Sequence, residues 1–167
     1  MKLTYDNLHH LQVGRIGEYW IKLMLTSYGL DTYYSDVDNK AIDFVVRLDN
    51  SKHIDIQVKT IRLKGSSYVF ITKGSSEEKT WSDTDIKRDN LYLAVVLLTE
   101  NNYPEAYLIP ANVWLKPEGI FSNKMYQDRG LKSKDEWGLN ISKKNLDLLE
   151  PYKMDIQVQL LREASRS

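Results

Sequence analysis

Polar and apolar side chains alternate along residues 53–61 with a period of two. The apolar positions are Ile54, Ile56 and Val58, and the polar positions are Asp55, Gln57 and Lys59. Successive side chains of a β-strand point to opposite faces of the sheet. The segment is therefore predicted to be a strand with one face packed in the core and a polar face available for chemistry.

Asp43 interrupts a second apolar stretch, Ala-Ile-Asp-Phe-Val-Val, in the predicted strand 41–48. Burying its carboxylate costs free energy unless it gains a partner or a metal. A short polar turn separates this strand from 53–61 and predicts a hairpin. The hairpin would bring Asp43 near Gln57 and Lys59, which joins a carboxylate, an amide oxygen and an ammonium group. Hard oxygen ligands suit Mg²⁺, and a nearby lysine can position or deprotonate a water molecule.

Composition excludes several classes of site. The chain has 167 residues, enough for one domain with a sizeable core. It has no cysteine, which excludes disulfides and thiolate metal sites, and its three histidines have no zinc-ligand spacing. The sequence has neither a signal-peptide core nor an apolar run of about 18 residues, so we expect a soluble, cytoplasmic protein with no membrane partner. Lys plus Arg and Asp plus Glu number 23 each, so the net charge does not indicate an acidic partner.

The remaining pattern predicts a mixed α/β or α+β fold, in which a central mixed sheet is flanked by helices. We expect a first helix over about 7–28 that ends at Gly29, strands at about 31–36, 67–72, 91–99 and 105–109, and a polar loop with a short helix over 73–90. The last two strands are expected to pair as a hairpin. After a short helix from Pro110, we expect an irregular segment over 116–138, a helix over 142–149 with Ser142 as N-cap, and a frayed C-terminus.

Two glycines lie within the first predicted helix. Gly14 and Gly17 each weaken it by roughly 1 kcal/mol relative to Ala. Their presence predicts a close approach of this helix to the sheet.

The chain is expected to form a single domain over residues 1–167. The catalytic core is placed at about 8–110, and a helical or irregular extension at about 111–167. The sequence Asp-Ile-Gln-Val occurs at 55–58 and again at 155–158, but one short match does not indicate a repeat. We interpret it as coincidence.

Three short motifs carry a family resemblance. They are Gly14-Arg-Ile-Gly-Glu18 in the helix, Ile42-Asp43 in a strand, and Gln57-Val-Lys59 in the next strand. The set resembles the PD-(D/E)XK nuclease superfamily, in which a helical Glu, a strand Asp and a following (Asp/Glu)-x-Lys build a Mg²⁺ site for phosphodiester hydrolysis. The resemblance covers about residues 8–62 and implies a restriction-endonuclease-like core. The Gln-x-Lys variant is similar to that of Mrr-type restriction nucleases and of a homing endonuclease of this fold.

Two positions depart from the family pattern. Ile42 replaces the Pro, which is expected to affect only the bend at the strand. Gln57 replaces the acidic residue and removes one negative charge. A second metal is therefore expected to bind more weakly unless Asp55 or Glu18 compensates.

The resemblance implies a role for each site residue. Asp43 would bridge the metal and the scissile phosphate, and Gln57 with the Val58 backbone carbonyl would complete the ligands. Lys59 would orient the attacking water or stabilise the phosphorane charge, and Glu18 would hold a water of the metal or act as a ligand itself. Mg²⁺ is the expected cofactor, with Mn²⁺ able to substitute, and the expected products are a 5′-phosphate and a 3′-hydroxyl.

Taken singly, these residues also have ordinary structural interpretations. A helical glutamate such as Glu18 or a strand lysine such as Lys59 usually lies on a solvated face. Asp43 is harder to explain in this way, because it lies inside an apolar strand. The order and spacing of all four residues favour a site.

Basic residues after the motif strand are candidates for contacts with DNA phosphates, and the alternative is that they are ordinary surface charges. They are Arg62, Lys64, Lys73, Lys87 and Arg88. A regular strand would turn Arg62 and Lys64 away from Lys59 unless it ends or bulges near Ile61.

The resulting hypothesis is a Mg²⁺-dependent DNA endonuclease that makes site-specific double-strand cuts, of homing or restriction type. Double-stranded DNA is the expected partner. Cutting both strands with one site per chain calls for a homodimer or a homotetramer. The alternatives are a structure-specific nuclease of the Holliday-junction-resolvase type and a catalytically silent nuclease-fold module that binds DNA or regulates, with Gln57 as the first sign of a lost site.

Overall fold

The computed structural model describes residues 3–35, 41–49, 51–74 and 79–166. Within these ranges the chain forms two α-helices and eight strands in two sheets. The elements are α1 (His10–Ser27), β1 (Asp31–Tyr34), β2 (Phe44–Arg47), β3 (His53–Arg62), β4 (Ser66–Thr72), β5 (Leu91–Leu98), β6 (Glu105–Pro110), β7 (Phe121–Lys124), β8 (Glu136–Ser142) and α2 (Met154–Arg166). Short 3₁₀ helices lie at Asp85–Lys87, Ala111–Leu115, Gln127–Arg129 and Leu146–Tyr152. None of the helices in the described ranges is long and apolar enough to cross a membrane.

α1 has well-defined ends. His9 is its N-cap and forms a capping box with Gln12, in which each side chain accepts a hydrogen bond from a backbone amide of the first turn. The helix ends just before Gly29, whose φ of 71° lies in the left-handed region that favours glycine. The predicted helix and its glycine end are confirmed, although the helix begins at His10 rather than Asn7.

The central sheet is mixed and has the order β1-β2-β3-β5-β6. β1, β2 and β3 pair antiparallel, β5 runs parallel to β3, and β6 pairs antiparallel with β5. All eight residues of β5 are buried, because a strand covered on both faces needs apolar side chains throughout. The central mixed sheet with flanking helices is confirmed, as are the predicted hairpins of β2 with β3 and of β5 with β6.

A second, antiparallel sheet has the order β4-β8-β7. Here the sequence prediction is wrong, because 116–138 contains β7 and the start of β8 rather than irregular chain. Ser142 ends β8 instead of capping a helix, and a 3₁₀ helix follows only at Leu146–Tyr152. The C-terminus forms α2 instead of fraying, because Met154 and Val158 are buried against the central sheet.

The two faces of β3 and β5 contribute to two different cores. One face packs against the helices through Ile54, Ile56, Ala94 and Val96, with Ile21 and Leu25 of α1 and Met154 and Val158 of α2. The other face packs against the second sheet through Leu91, Leu93, Val95 and Leu97, with Val69, Ile71, Trp137, Leu139 and Ile141. Strand alternation places Gln57 and Lys59 on the face toward the second sheet and α1 on the opposite face.

Candidate active site at the end of the central strand

Asp43 lies immediately before β2 and is tied to β3 through both its backbone and its side chain. Its amide donates to the Ile56 carbonyl at 2.8 Å, and its Oδ2 accepts a hydrogen bond from the Val58 amide at 2.6 Å. Phe44 is already in register with Ile56, so two consecutive residues face one residue of β3, as in a β-bulge. A bulge redirects a side chain, and this one holds the Asp43 carboxylate against β3.

The backbone leading into Asp43 is strained. Ala41 has a φ of 52° and is 2% exposed. The left-handed region costs an L-residue about 1–2 kcal/mol, and such strain is concentrated at functional sites. The fold therefore accepts a local cost to set the path of the chain into Asp43.

Gln57 carries a buried polar atom without a hydrogen-bond partner among the described residues. The residue is 7% exposed, and the atom is its Oε1. Burial of an unpartnered amide oxygen costs about 1–3 kcal/mol, and buried polar groups in proteins normally have partners. Its neighbour Val58 holds the Asp43 carboxylate, so an oxygen that lacks a donor lies one residue from a fixed negative charge. A cation is the ligand that suits both.

Val58 and Lys59 complete this group. In an antiparallel pair, the N–H and C=O of one residue point toward the same neighbouring strand. Because the Val58 amide points to Asp43, its carbonyl is directed to the same side, beyond the start of β2. Lys59 is half-buried and shares the face of Gln57. The structure thus brings Asp43, Gln57, Val58 and Lys59 to one stretch of β3.

Glu18 approaches β3 from the helix layer. A Cβ on Gly17 would lie 1.8 Å from Thr60 Oγ1, so the predicted close approach of helix and sheet is confirmed at Gly17. The Glu18 carboxylate pairs with Arg15 at 2.6 Å, and its side chain is 26% exposed. This pair was not predicted from the sequence, although opposite charges three residues apart on a helix are a recognisable signal.

The oxygen donors beside β3 are a carboxylate, an amide oxygen and a backbone carbonyl, a set that suits Mg²⁺ or Mn²⁺. Within the described ranges no group of three or more His, Asp or Glu side chains could hold a metal ion. Asp55 adds no ligand, because it is 6% exposed and paired with Arg88. A metal at this position would depend on Asp43, with the Gln57 and Val58 oxygens, and the buried Gln57 Oε1 fits such an ion.

Two of the predicted DNA contacts lie near the N-terminal segment. β3 continues to Arg62, so Arg62 lies on the helix side, opposite to Lys59. Its Nη1 donates to three carbonyls of the segment 5–8 at 2.9–3.3 Å. Lys64 pairs with Asp6 at 2.8 Å. Both side chains anchor this segment, and their contact with DNA stays a prediction.

The other three predicted DNA contacts differ in their surroundings. Arg88 pairs with the buried Asp55. The Lys73 ammonium lies 3.6 Å from the centre of the Trp137 ring, and burial lowers the pKa of Lys73. Lys87 is exposed. Lys87 therefore has the freest approach to a phosphate of these three, and its role too stays a prediction.

Comparison with known proteins does not assign this chain to a family. No family model matches the chain, and no curated protein matches it. Among solved structures, the chain is similar to Hjc, a Holliday junction resolvase from the archaeal hyperthermophile Archaeoglobus fulgidus. The identity is 8%, the alignment covers 87% of this chain and 95% of that chain, and the TM-score is 0.47. The function is therefore inferred from the geometry of the site itself.

Proposed function

We propose that this protein is a metal-dependent endodeoxyribonuclease with a restriction-endonuclease-like core. One observation supports this most strongly: Gln57 Oε1 is buried with no partner among the described residues, and the adjacent Val58 amide fixes the Asp43 carboxylate at 2.6 Å. Stability alone would favour an apolar side chain at position 57. Oxygen donors with an adjacent lysine are the groups that hydrolysis of a phosphodiester with a divalent cation requires.

In this proposal each residue of the site has a separate role. Asp43, Gln57 and the Val58 carbonyl would hold Mg²⁺ or Mn²⁺, and such an ion would supply the Lewis acidity that polarises a scissile phosphate. The Lys59 ammonium hydrogen-bonds a water molecule and orients it opposite the 3′-oxygen. The water oxygen forms a bond to phosphorus and the bond from phosphorus to the 3′-oxygen breaks, while the attacking water releases a proton to solvent and a solvent water gives a proton to the departing oxygen. The products are a 5′-phosphate and a 3′-hydroxyl.

The proposed substrate is double-stranded DNA, cut at defined sites as in homing or restriction. One site per chain cuts one strand, so a double-strand break requires a homodimer or a homotetramer. Lys87 is exposed and can contact a phosphate without breaking an ion pair that holds the fold.

A catalytically silent DNA-binding module is the second candidate. It is favoured by the pairing of Glu18 with Arg15 and of Asp55 with Arg88. Each pair reduces the negative charge that a cation would meet near β3.

Cleavage assays on three DNA forms test the proposal. The purified chain is incubated with supercoiled plasmid, linear duplex and a four-way junction, in Mg²⁺ and in EDTA. We expect linear plasmid with ends at defined positions in Mg²⁺ and no product in EDTA. Preferential cutting of the junction would instead indicate a structure-specific nuclease. DNA binding that is independent of metal, with no cleavage of any form, would contradict the proposal and support the silent module.

Lys59→Met provides a matched variant for these assays. Methionine keeps much of the aliphatic stem but lacks the ammonium group. Cleavage is expected to be lost, while the protein stays folded by circular dichroism and still binds Mn²⁺ in a metal titration.

A further inference from the structure

Gly14 has no packing reason to be glycine. Apart from its chain neighbours and its own helix backbone, no atom of the described residues lies within 4 Å of the position that a Cβ would take. The prediction of a close approach to the sheet is therefore wrong for this residue. Gly17, one turn later, differs sharply, because a Cβ there would collide with Thr60.

Gly14 also weakens the element that contains it. It lies inside α1, where glycine lowers helix stability relative to alanine. Its φ is not positive, so backbone freedom does not explain it either. Gly14 lowers the stability of the helix and makes room for no contact within the described chain. This indicates that a molecule outside the chain binds beside it.

The position of Gly14 relates that space to the candidate site. Gly14, Glu18 and Lys22 are four residues apart and form one flank of α1. The Lys22 ammonium lies 4.3 Å from the centre of the Tyr34 ring in β1, so this flank faces the β1 and β2 side of the sheet. Gly14 lies about one turn closer to the N-terminus of α1 than Gly17, which lies against Thr60.

The pairing of β2 with β3 ends before the last residues of β3. β2 begins at Phe44, opposite Ile56, so the stretch from Val58 to Arg62 has no strand paired to it on the β2 side within the described ranges. α1 at Gly14 and this edge of β3 therefore border a notch, which we call the α1–β3 notch, with Asp43 at its inner end. Arg15, 60% exposed, lies at its rim and is paired with Glu18 at 2.6 Å.

We propose that the phosphodiester backbone of the cleaved strand passes through the α1–β3 notch, where it comes closest to the protein at Gly14. A sugar–phosphate chain needs a shallow surface beside the metal ligands, and a side chain at position 14 would occupy it. The pair with Glu18 engages Nη1 of Arg15, and the other N–H groups of this exposed guanidinium are donors that suit a phosphate oxygen. This inference rests on the proposed nuclease function and identifies the path of the substrate into that site.

Gly14→Ala and Gly14→Leu test the inference because stability and function should change in opposite directions. The alanine variant is expected to melt about 2–4 °C higher than wild type, since helix propensity rises and nothing clashes. Its DNA affinity and cleavage rate should fall about tenfold, and those of the leucine variant about 100-fold, because misplacing the reacting phosphate by about 1 Å has effects of this size. Fluorescence anisotropy with labelled duplex gives the affinity, and thermal unfolding gives the stability.

Thr26→Ala is the matched control. Thr26 is exposed in the last turns of α1, and the substitution raises helix propensity away from the notch. It should raise the melting temperature and leave DNA affinity unchanged.

Gly14 variants that keep wild-type affinity and cleavage would overturn the inference, even if the wild type is an active nuclease. If the wild type does not cleave, the proposed function fails, while the affinity of the Gly14 variants still decides whether DNA occupies the notch.

Discussion

Gln57 is a residue at which stability and the proposed chemistry make opposite demands. Its buried Oε1 has no partner among the described residues. We predict that Gln57→Leu raises the free energy of unfolding by about 1 kcal/mol in metal-free buffer, because an unpaired amide is replaced by an apolar group. The same substitution should lower Mg²⁺-dependent cleavage by about 100-fold, roughly 2.7 kcal/mol in the barrier. Urea denaturation and plasmid cleavage measure the two effects.

Gln57→Glu is the companion variant. It restores an acidic residue to the triplet, and a buried carboxylate costs more than a buried amide when no cation is present. We expect lower stability in EDTA and a larger stabilisation by Mg²⁺ than in wild type. A Gln57→Leu protein that is less stable than wild type yet cleaves normally would show that Gln57 serves packing.

Arg88, one of the predicted DNA contacts, forms an ion pair with a buried carboxylate. It pairs with Asp55, which is 6% exposed, while the Arg88 side chain is 33% exposed. We predict that Arg88→Ala destabilises the protein by about 2 kcal/mol, less than for a fully buried pair because solvent reaches the guanidinium. Chemical denaturation measures the change.

Lys87→Ala is the control, since Lys87 is exposed beside Arg88, and its effect should stay within about 0.5 kcal/mol. Asp55→Asn in the Arg88→Ala background should recover much of the loss, because the uncompensated charge is gone. Equal effects of Arg88→Ala and Lys87→Ala would mean that the ion pair contributes nothing.

At the scale of elements, α1 is set against the central sheet by the contact of Gly17 with Thr60. A Cβ at Gly17 would lie 1.8 Å from Thr60 Oγ1 and 2.9 Å from Thr60 Cβ. We predict that Gly17→Ala destabilises the protein by about 1–2 kcal/mol, because overpacking outweighs the gain in helix propensity. Equilibrium urea unfolding of the variant and wild type measures this.

Thr60→Ala should partly restore the Gly17→Ala protein, since it removes the nearest atom but leaves the Thr60 Cβ position occupied. A double-mutant cycle detects this as a coupling between the two sites. A Gly17→Ala protein as stable as wild type, with no coupling to position 60, would show that α1 can shift freely over β3.

The same four residues, Asp-Ile-Gln-Val, form strand in β3 and helix in α2. Residues 55–58 lie between neighbouring strands, whereas at 155–158 burial of Met154 and Val158, four residues apart, selects a helix. Local sequence cannot distinguish these settings, because packing partners distant in sequence decide between them. The interpretation of this match as a coincidence is confirmed.

The sequence of β8 carries a strand signal, although an irregular segment was predicted to continue to residue 138. Trp137, Leu139 and Ile141 alternate with polar residues and are buried, which is the pattern of a half-buried strand. Gly138 obscured it, since glycine inside a strand usually weakens it. The glycine is required there because a Cβ would lie 2.3 Å from the Tyr68 hydroxyl.

At the scale of the whole molecule, tyrosines that are buried or half-buried should control the response to alkaline pH. Burial is the largest cause of a raised pKa at six of them: Tyr5, Tyr28, Tyr68, Tyr92, Tyr107 and Tyr152. A raised pKa means that the folded protein keeps its protons where the unfolded chain loses them. The associated stability is present below about pH 10 and is lost as the pH rises above it.

We predict that the free energy of unfolding falls steeply above pH 10, with each such tyrosine contributing at most about 1.4 kcal/mol per pH unit. The lowered pKa of Lys73 acts in the opposite direction but is a single group. Urea denaturation at pH 9, 10 and 11 measures the slope. Tyr107 is 2% exposed, so Tyr107→Phe should make the slope shallower. An unchanged slope in that variant would contradict the assignment.

The central sheet was predictable because its strands carry their signals locally. The apolar run of β5 and the alternation of β3 each identify a strand, and the short turn before β3 predicts the hairpin that brings Asp43 to Val58. The partners of the basic side chains were not predictable, because these contacts join residues that are far apart in sequence. Arg88 is committed to Asp55, and Arg62 to the carbonyls of the segment 5–8.

The rate of plasmid cleavage by wild type and by Asp43→Asn tests the central claim most directly. Asparagine keeps an oxygen that can accept the Val58 amide hydrogen bond but lacks the charge that a cation requires. We predict Mg²⁺-dependent cleavage by wild type, a loss of about 1,000-fold in Asp43→Asn, or roughly 4 kcal/mol in the barrier, and closely similar unfolding curves for the two proteins. Equal cleavage by both proteins, or no metal-dependent cleavage by wild type, would contradict the account.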